Sequence, residues 1–415
     1  MGDVAAHERG GLDDRVRLEL GGQEVVVAES YEVRAGILSQ PAAFGVRLGH
    51  GDVAAKLFKK YPPKTPFRLY IGDVLQQCGE TDGYRAESSV GATEVTLRGR
   101  DSLAPLYDGY VERERSYLDS TFSELVRSAL REVGLDPAKL RTSGRADRSI
   151  RAGVPITELG PPRTVDEIAL SSGGRAPNPS GETNYAASIQ TKLGERWFEF
   201  LRRYLDRGGL FLWSSTDGGF VLSQPNANLK PTYRIVRQRG KHDNSVNVLH
   251  AELVHETTHR HSEVVIYGRG GGRKFGRTKS RGSFVDNEMW QGFRQGPEAA
   301  GGPDAQGYRR PLVLRDANVS TPGQAEFLAL RRLAEERRAG WSLVYRLAGH
   351  TTPAIQGGGR AVWTFDTLVE VSDDEFDLHE TFYIENVEYV RGSDGTTTTI
   401  RLMRLRDLVF GGIDE

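Results

Sequence analysis

Val16, Leu18 and Leu20 alternate with Arg17 and Glu19. This is the period-two pattern of a strand with one face on a core and the other in water. Gly21-Gly22 then turns the chain into Val25-Val26-Val27, and apolar runs follow at 44–48, 67–71 and 94–97, separated by Gly, Pro and Asp. Short strands divided by turn residues predict a small barrel or sandwich over 12–105. Pro62-Pro63 and Pro66 mark a stiff connection inside it.

Near residue 101 the period changes from two to that of a helix. Asp101 or Ser102 can cap a short helix after Gly99. Asp119-Ser120-Thr121 then precedes a stripe of Phe122, Leu125, Val126, Ala129, Leu130 and Val133 that stops at Gly134. A further helix is predicted over 165–171 and another from Trp197, Phe198, Leu201 and Leu205, ending at Gly208-Gly209. A hairpin follows, turning through Asp217-Gly218-Gly219. Residues 106–230 thus read as an α+β module, with 172–190 as a polar loop.

From Tyr233 the pattern is again that of strands, closing with runs at 363–371, 381–389 and 396–403. One helix interrupts them: Thr321-Pro322 starts it, Ala325, Leu328, Leu333 and Ala334 give it an apolar side, and Gly340 ends it. Residues 269–311, rich in Gly and Arg, read as a long exposed insertion. The fold class expected is therefore α+β and β-rich, with two β domains, 12–105 and 233–411, flanking the smaller α+β module.

Composition narrows the function. Of 415 residues, 55 are Lys or Arg and 56 are Asp or Glu, a formal charge of -1, which argues against a dedicated nucleic-acid binder. The single cysteine, Cys78, excludes an intramolecular disulfide and a cysteine-based zinc site, and fits assembly in a reducing cytoplasm. The N-terminal MGDVAAHERGG has no apolar signal stretch, and runs such as Gly209-Leu210-Phe211-Leu212-Trp213 are too short to span a bilayer. No stable membrane association is expected.

Several stretches carry a resemblance. VRLELGG at 16–22, FRLYIGDVLQQCGETDGY at 67–84, VTLRGRDSLAPLYDGYV at 95–111 and TFSELVRSALREVGL at 121–135 are similar to the tail hub proteins of Mu-like contractile phages, related to the late-control protein D group. The closing strands DTLVEVSDDEFDLHETFYIENVEYVRGSDGTTTTIRLM at 366–403 continue the similarity. GRDSLAPL is the most telling piece, because a generic β domain does not require a strand that runs through Gly99 into a capped turn of helix. The resemblance implies a homotrimer in which each subunit supplies two tube-like β-barrels to a quasi-sixfold ring. One face would meet the tail tube protein and the other the central spike protein, with other baseplate proteins around them and DNA passing transiently through the lumen. It implies a virion tail baseplate location after assembly in the host bacterial cytoplasm, no cofactor and no enzymatic activity. The length of the 269–311 insertion departs from the family pattern.

One motif competes with that reading. His255-Glu256-Thr257-Thr258-His259 matches H-E-x-x-H, in which two histidines one helical turn apart grip zinc and the glutamate acts as general base. The alternative function is therefore a zinc-dependent peptidase or cell-wall hydrolase of a phage particle. Its surroundings oppose it. Val246, Val248, Ala251 and Leu253 before it and Val264-Val265-Ile266-Tyr267 after it favour strands, and no apolar residue between Val254 and Val264 gives a helix a face to bury. A strand-turn-strand is predicted. Five of the nine histidines (His242, His250, His255, His259, His261) crowd this region, which reads as a solvated hairpin tip before it reads as a metal site.

Two charged runs are candidate interfaces. Arg269, Arg273, Lys274, Arg277, Lys279 and Arg281 include no acidic residue between them, and Asp366, Glu370, Asp373, Asp374, Glu375, Asp377 and Glu380 form the opposite patch. Pairing them between subunits is an expectation, each exposed pair contributing little. Trp197, Phe198 and Phe200 are expected in the core and not as a platform for sugar, although a carbohydrate-binding tail protein is a third class to weigh.

Overall fold

The computed structural model describes residues 14–25, 30–38, 41–48, 60–89, 92–117, 120–143, 146–147, 189–225, 229–238, 248–268, 281–286, 289, 310–316, 319, 322–355, 359–393 and 395–407. The first region holds strands β1 (Val16–Leu20), β2 (Gln23–Val25), β3 (Ser30–Gly36), β4 (Ala43–Leu48), β5 (Pro66–Ile71), β6 (Val74–Ser89) and β7 (Ala92–Asp101). Alternation dictates their faces: Val16, Leu18 and Leu20 of β1 are buried, as are Phe67, Leu69 and Ile71 opposite them on β5. Each fully buried side chain of this size stabilises the fold by roughly 1.5–3 kcal/mol.

The middle module holds helix α1 (Ala104–Asp108), β8 (Ser116–Tyr117), α2 (Phe122–Glu132), β9 (Leu140–Thr142), β10 (Ile189–Gln190), α3 (Trp197–Gly208), β11 (Phe211–Ser214) and β12 (Phe220–Ser223). The Thr121 hydroxyl accepts from the Glu124 amide while the Glu124 carboxylate accepts from the Thr121 amide, a reciprocal cap that starts α2. Gly209 ends α3 at a φ of 61°, left-handed backbone that favours glycine. Phe122, Leu125, Leu130, Trp197, Phe200 and Leu201 share one core, so the aromatic run is packing, as expected. The sequence-predicted helix over 165–171 lies outside the described residues.

The last region holds β13 (Tyr233–Arg237), β14 (Val248–His255), β15 (Glu263–Gly268), β16 (Arg281–Val285), β17 (Pro311–Asp316), α4 (Pro322–Ala339), β18 (Trp341–Ala348), β19 (Thr351–Pro353), β20 (Arg360–Val362), β21 (Thr367–Asp373), β22 (Leu378–Gly392) and β23 (Gly395–Arg404). No helix among the described residues is long and apolar enough to cross a membrane.

One expectation is corrected here. Among the described residues the β regions do not form separate closed barrels. They belong to one 13-stranded open sheet that runs β14-β18-β23-β22-β3-β4-β7-β6-β5-β1-β2, with β21 on β22 and β13 on β21. The junction is β3 against β22, from Gly36 opposite Asn386 to Tyr31 opposite Arg391. Both regions fill one core, where Leu18, Val46 and Leu69 join Leu343, Tyr345, Phe382 and Ile400. Backbone pairing between distant strands removes the edges that two independent sheets would leave open.

The span 269–311, read as an exposed insertion, contributes a strand. Its residues 281–285 form β16, antiparallel to β15, and β17 completes a three-stranded sheet on the other side of β15. Helix α4 covers that sheet through Ala325, Ala329 and Leu333 against Val264 and Ile266. A folded α/β unit is thus inserted between β14 and β18, which pair directly with each other. The middle module docks on the main sheet through Trp213, packed with Ile37, Leu368, Tyr383 and Met403, and meets the inserted unit through an ion pair of 3.2 Å from Arg331 on α4 to Asp206 on α3.

Candidate functional site

The HETTH segment lies where the chain leaves the main sheet for the inserted unit. His255 is the last residue of β14 and faces Trp341, the first of β18. Beyond it the backbone turns, with the Arg260 amide donating to the Thr257 carbonyl at 3.0 Å. The Glu256 amide donates to the Gly340 carbonyl at 2.7 Å, tying exit to return. A Cβ at position 340 would lie 2.4 Å from the Glu256 carbonyl oxygen, so the approach requires glycine. The helix that a zinc-peptidase motif needs is absent, and His255 and His259 are exposed residues of a strand end and a turn. Among the described residues no group of three or more His, Cys, Asp or Glu is placed to hold a metal ion. The strand-turn-strand prediction matches this geometry, and the zinc-peptidase alternative lacks the arrangement it needs.

Beside that turn lies a buried charge cluster. Arg260 is 1% exposed and its guanidinium donates to the Asp286 carboxylate at 2.7 Å; Arg337 of α4 donates to the other oxygen at 2.9 Å. The Arg260 guanidinium also sits 3.3 Å from His255 Nε2. Burial pushes the Asp286 carboxyl up, and the hydrogen bonds from Arg337 and Arg260 outweigh it, holding the group below its ordinary value. His261, one residue on, contacts Glu336 of α4 through both its backbone amide and its ring Nδ1 at 3.0 Å. The histidine-rich stretch is therefore a joint: Arg260 and His261 tie the turn to Asp286 and to Glu336 of α4. Sequence reasoning missed Asp286, because no spacing rule links a carboxylate to an arginine 26 residues before it.

Of the acidic patch, Asp374 and Glu375 are exposed on the turn between β21 and β22, but Asp373 is fully buried. Its carboxylate accepts from the Tyr345 hydroxyl at 2.7 Å and from the backbone amides of Glu375 and Phe376 at 2.9 and 3.3 Å, with Arg237 at 3.5 Å. Asp373 shapes the turn from within and presents no charge to a partner. Arg269, Arg273, Lys274 and Arg277 lie outside the described residues.

The GRDSLAPL segment is the joint between main sheet and middle module. Asp101, 2% exposed, accepts from the amides of Ala42 and Leu103 at 2.8 and 2.9 Å, which holds β7 to the loop before β4 and shapes the turn into α1. Arg100 forks onto both Asp82 of β6 and Asp108 of α1, with four contacts of 2.7–2.9 Å. These two hydrogen-bonded carboxylates, more than the burial that opposes them, raise the guanidinium pKa further above its ordinary value.

Surfaces suited to assembly lie at the sheet edges. β14 ends the main sheet, and among the described residues no strand pairs with its outer side. It carries Leu249 at 58% exposure, beside exposed His250, Glu252 and His255. β17 is likewise an edge of the small sheet, with Val313 58% exposed. Unpaired backbone beside exposed apolar side chains is a template for another chain.

No family model and no curated protein sequence matches the chain. Solved structures do match it. The 43 kDa tail protein of prophage MuSo2 from Shewanella oneidensis is 18% identical, over 95% of this chain and 99% of that one, with a TM-score of 0.67. A tail protein from Neisseria meningitidis MC58 is 18% identical, over 95% and 98% of the two chains, also at 0.67. A type VI secretion system component from E. coli, described as similar to bacteriophage tail proteins, is 11% identical over 93% and 76%, at 0.53. The chain shares the fold of the two tail proteins over 95% of its length.

Proposed function

We propose that this chain is a structural baseplate hub subunit of a contractile phage tail or phage-like injection system. In this reading it is a trimeric adapter joining the sixfold tail tube to the threefold central spike, in contact with other baseplate proteins and lining a lumen for DNA. The observation that carries the proposal is the likeness to two tail proteins over 95% of this chain and nearly all of theirs. The outer edge of β14, on which no strand pairs among the described residues and where Leu249 is exposed, supports self-association, since a ring of copies covers such edges by placing one subunit's end against the next. Work of this kind rests on large buried interfaces and requires no reacting group. In this reading the exposed Asp374 and Glu375 face Arg269, Arg273, Lys274 and Arg277 of a neighbour.

The test is the mass of the purified chain in solution by light scattering, alone and with its tube or spike protein. A species near three chains is expected, and Leu249→Glu should shift it toward monomer. A chain that stays monomeric alone and with both partners would overturn the proposal. A stoichiometric zinc ion, lost with a peptidase activity in His255→Ala, would instead return the enzyme reading.

A further inference from the structure

A cleft of about 280 Å³ opens where the β11–β12 hairpin meets β3, β6 and β22. Its polar lining comes from an irregularity in β6. Leu69 of β5 faces Gln77, but Tyr70 faces Leu75, so Gln76 is an extra residue in the strand. Such a bulge re-aims side chains, and here it buries two successive glutamines at 9% and 3% exposure. Gln77 stands in a row with Leu69 and Leu18, both fully buried. Among the described residues nothing hydrogen-bonds Gln77 Nε2, Gln77 Oε1 or Gln76 Nε2, while Gln76 Oε1 lies 3.2 Å from the Tyr389 hydroxyl, whose proton it shares with the Trp363 carbonyl.

An amide buried among apolar neighbours without partners is costly, and a group from outside the chain can complete it. The remaining lining fits such a group. Trp213, Phe365 and Tyr389 give aromatic surface, and Asp366 is the one ionisable side chain besides the Tyr389 phenol. Asp366 adopts a left-handed φ of 58°, and its carboxylate accepts from the Tyr383 hydroxyl at 2.7 Å. Burial raises its pKa, and the same apolar surroundings disfavour a charged occupant. Concave, mostly apolar sites with a few convergent polar groups are where small ligands bind.

We propose that this cleft binds a small uncharged ligand through a carboxamide group, whose N–H and C=O complement the amide of Gln77 while Trp213 and Phe365 pack on its apolar part. The inference stands independently of the assembly role. It is tested on the full chain by ligand-observed saturation-transfer NMR with acetamide and N-acetylglucosamine, using acetate and glucose as partners of similar size without the carboxamide. Transfer to one or both amide probes and to neither control is expected. That signal should vanish in Gln77→Leu, which removes the amide, and in Ala35→Leu, which fills the cleft from β3. Gln77→Leu should also raise Tm, because an unsatisfied polar group leaves the interior. No transfer to either amide probe would mean that water alone completes the glutamines, and would overturn the proposal. So would equal transfer to the controls, or a signal that survives both substitutions.

Discussion

Removing Asp286 should expose what holds the inserted α/β unit to the main sheet. In Asp286→Ala the Arg260 guanidinium, with a side chain 2% exposed, loses the carboxylate 2.7 Å away and stays in a low-dielectric interior. Breaking a buried pair by deleting one partner costs about 3–5 kcal/mol, mostly the penalty of the charge left behind. Arg337 is less affected, because its side chain is 18% exposed and can turn to water. Against a total stability of roughly 5–15 kcal/mol, the loss should be plain in urea denaturation followed by tryptophan fluorescence, with Trp341 at the joint as a reporter. The double variant Arg260→Met with Asp286→Leu removes both charges at similar volume, and should recover most of the loss. The acid dependence has a definite sign. The Asp286 pKa is depressed below 3.8 in the folded protein, so its contribution is present above that pH and disappears as pH falls through the folded value. The gap between wild type and Asp286→Ala should narrow below about pH 4. A single-variant cost under about 1 kcal/mol, or a double variant as unstable as the single, would refute a buried ion pair at this joint.

His350 is fully buried between the Tyr31 hydroxyl at Nε2 (2.9 Å) and the Thr398 hydroxyl at Nδ1 (2.8 Å), and burial lowers its pKa to about 4. The unfolded chain takes up the proton first, so wild type should lose about 3 kcal/mol relative to His350→Gln as pH falls from 6.5 toward 4, measured by paired denaturation curves. Asp101→Asn keeps one acceptor oxygen and sets an NH2 group against the other backbone donor, so calorimetry should show a loss of roughly 1–3 kcal/mol. Gly340→Ala places a methyl group 2.4 Å from the Glu256 carbonyl. A similar cost of about 1–3 kcal/mol is expected, with hydrogen exchange accelerated first in β15, β16 and α4.

Much of this architecture was readable before any coordinates, for a local reason. The alternation at Val16, Leu18 and Leu20 and the caps at Thr121 and Gly209 are interactions between near neighbours, so strands β1, β5, β11 and β12 and helices α2, α3 and α4 fall where the patterns put them. The strand-to-turn character of HETTH was likewise legible from the β-branched residues around it and the lack of an apolar face. The acidic run misled: seven acidic residues in one stretch read as a surface, yet Asp373 turns inward to Tyr345 and Asp366 to Tyr383. Gln76 and Gln77 left a faint signal, two polar residues in succession where a strand should alternate.

Period, capping and turn chemistry act within a few residues, and so the sequence alone determined strands such as β1 and β5, helices α2, α3 and α4, and where they stop. The tertiary structure decided which strands lie side by side. Only there does β3 meet β22 across some 350 residues and merge two predicted barrels into one sheet. Only there does β16 emerge within the Gly- and Arg-rich insertion, and Asp286 reach Arg260. Each of these depends on backbone and charge groups finding partners far along the chain, where competing pairings look alike in the sequence and differ only in the core they would bury.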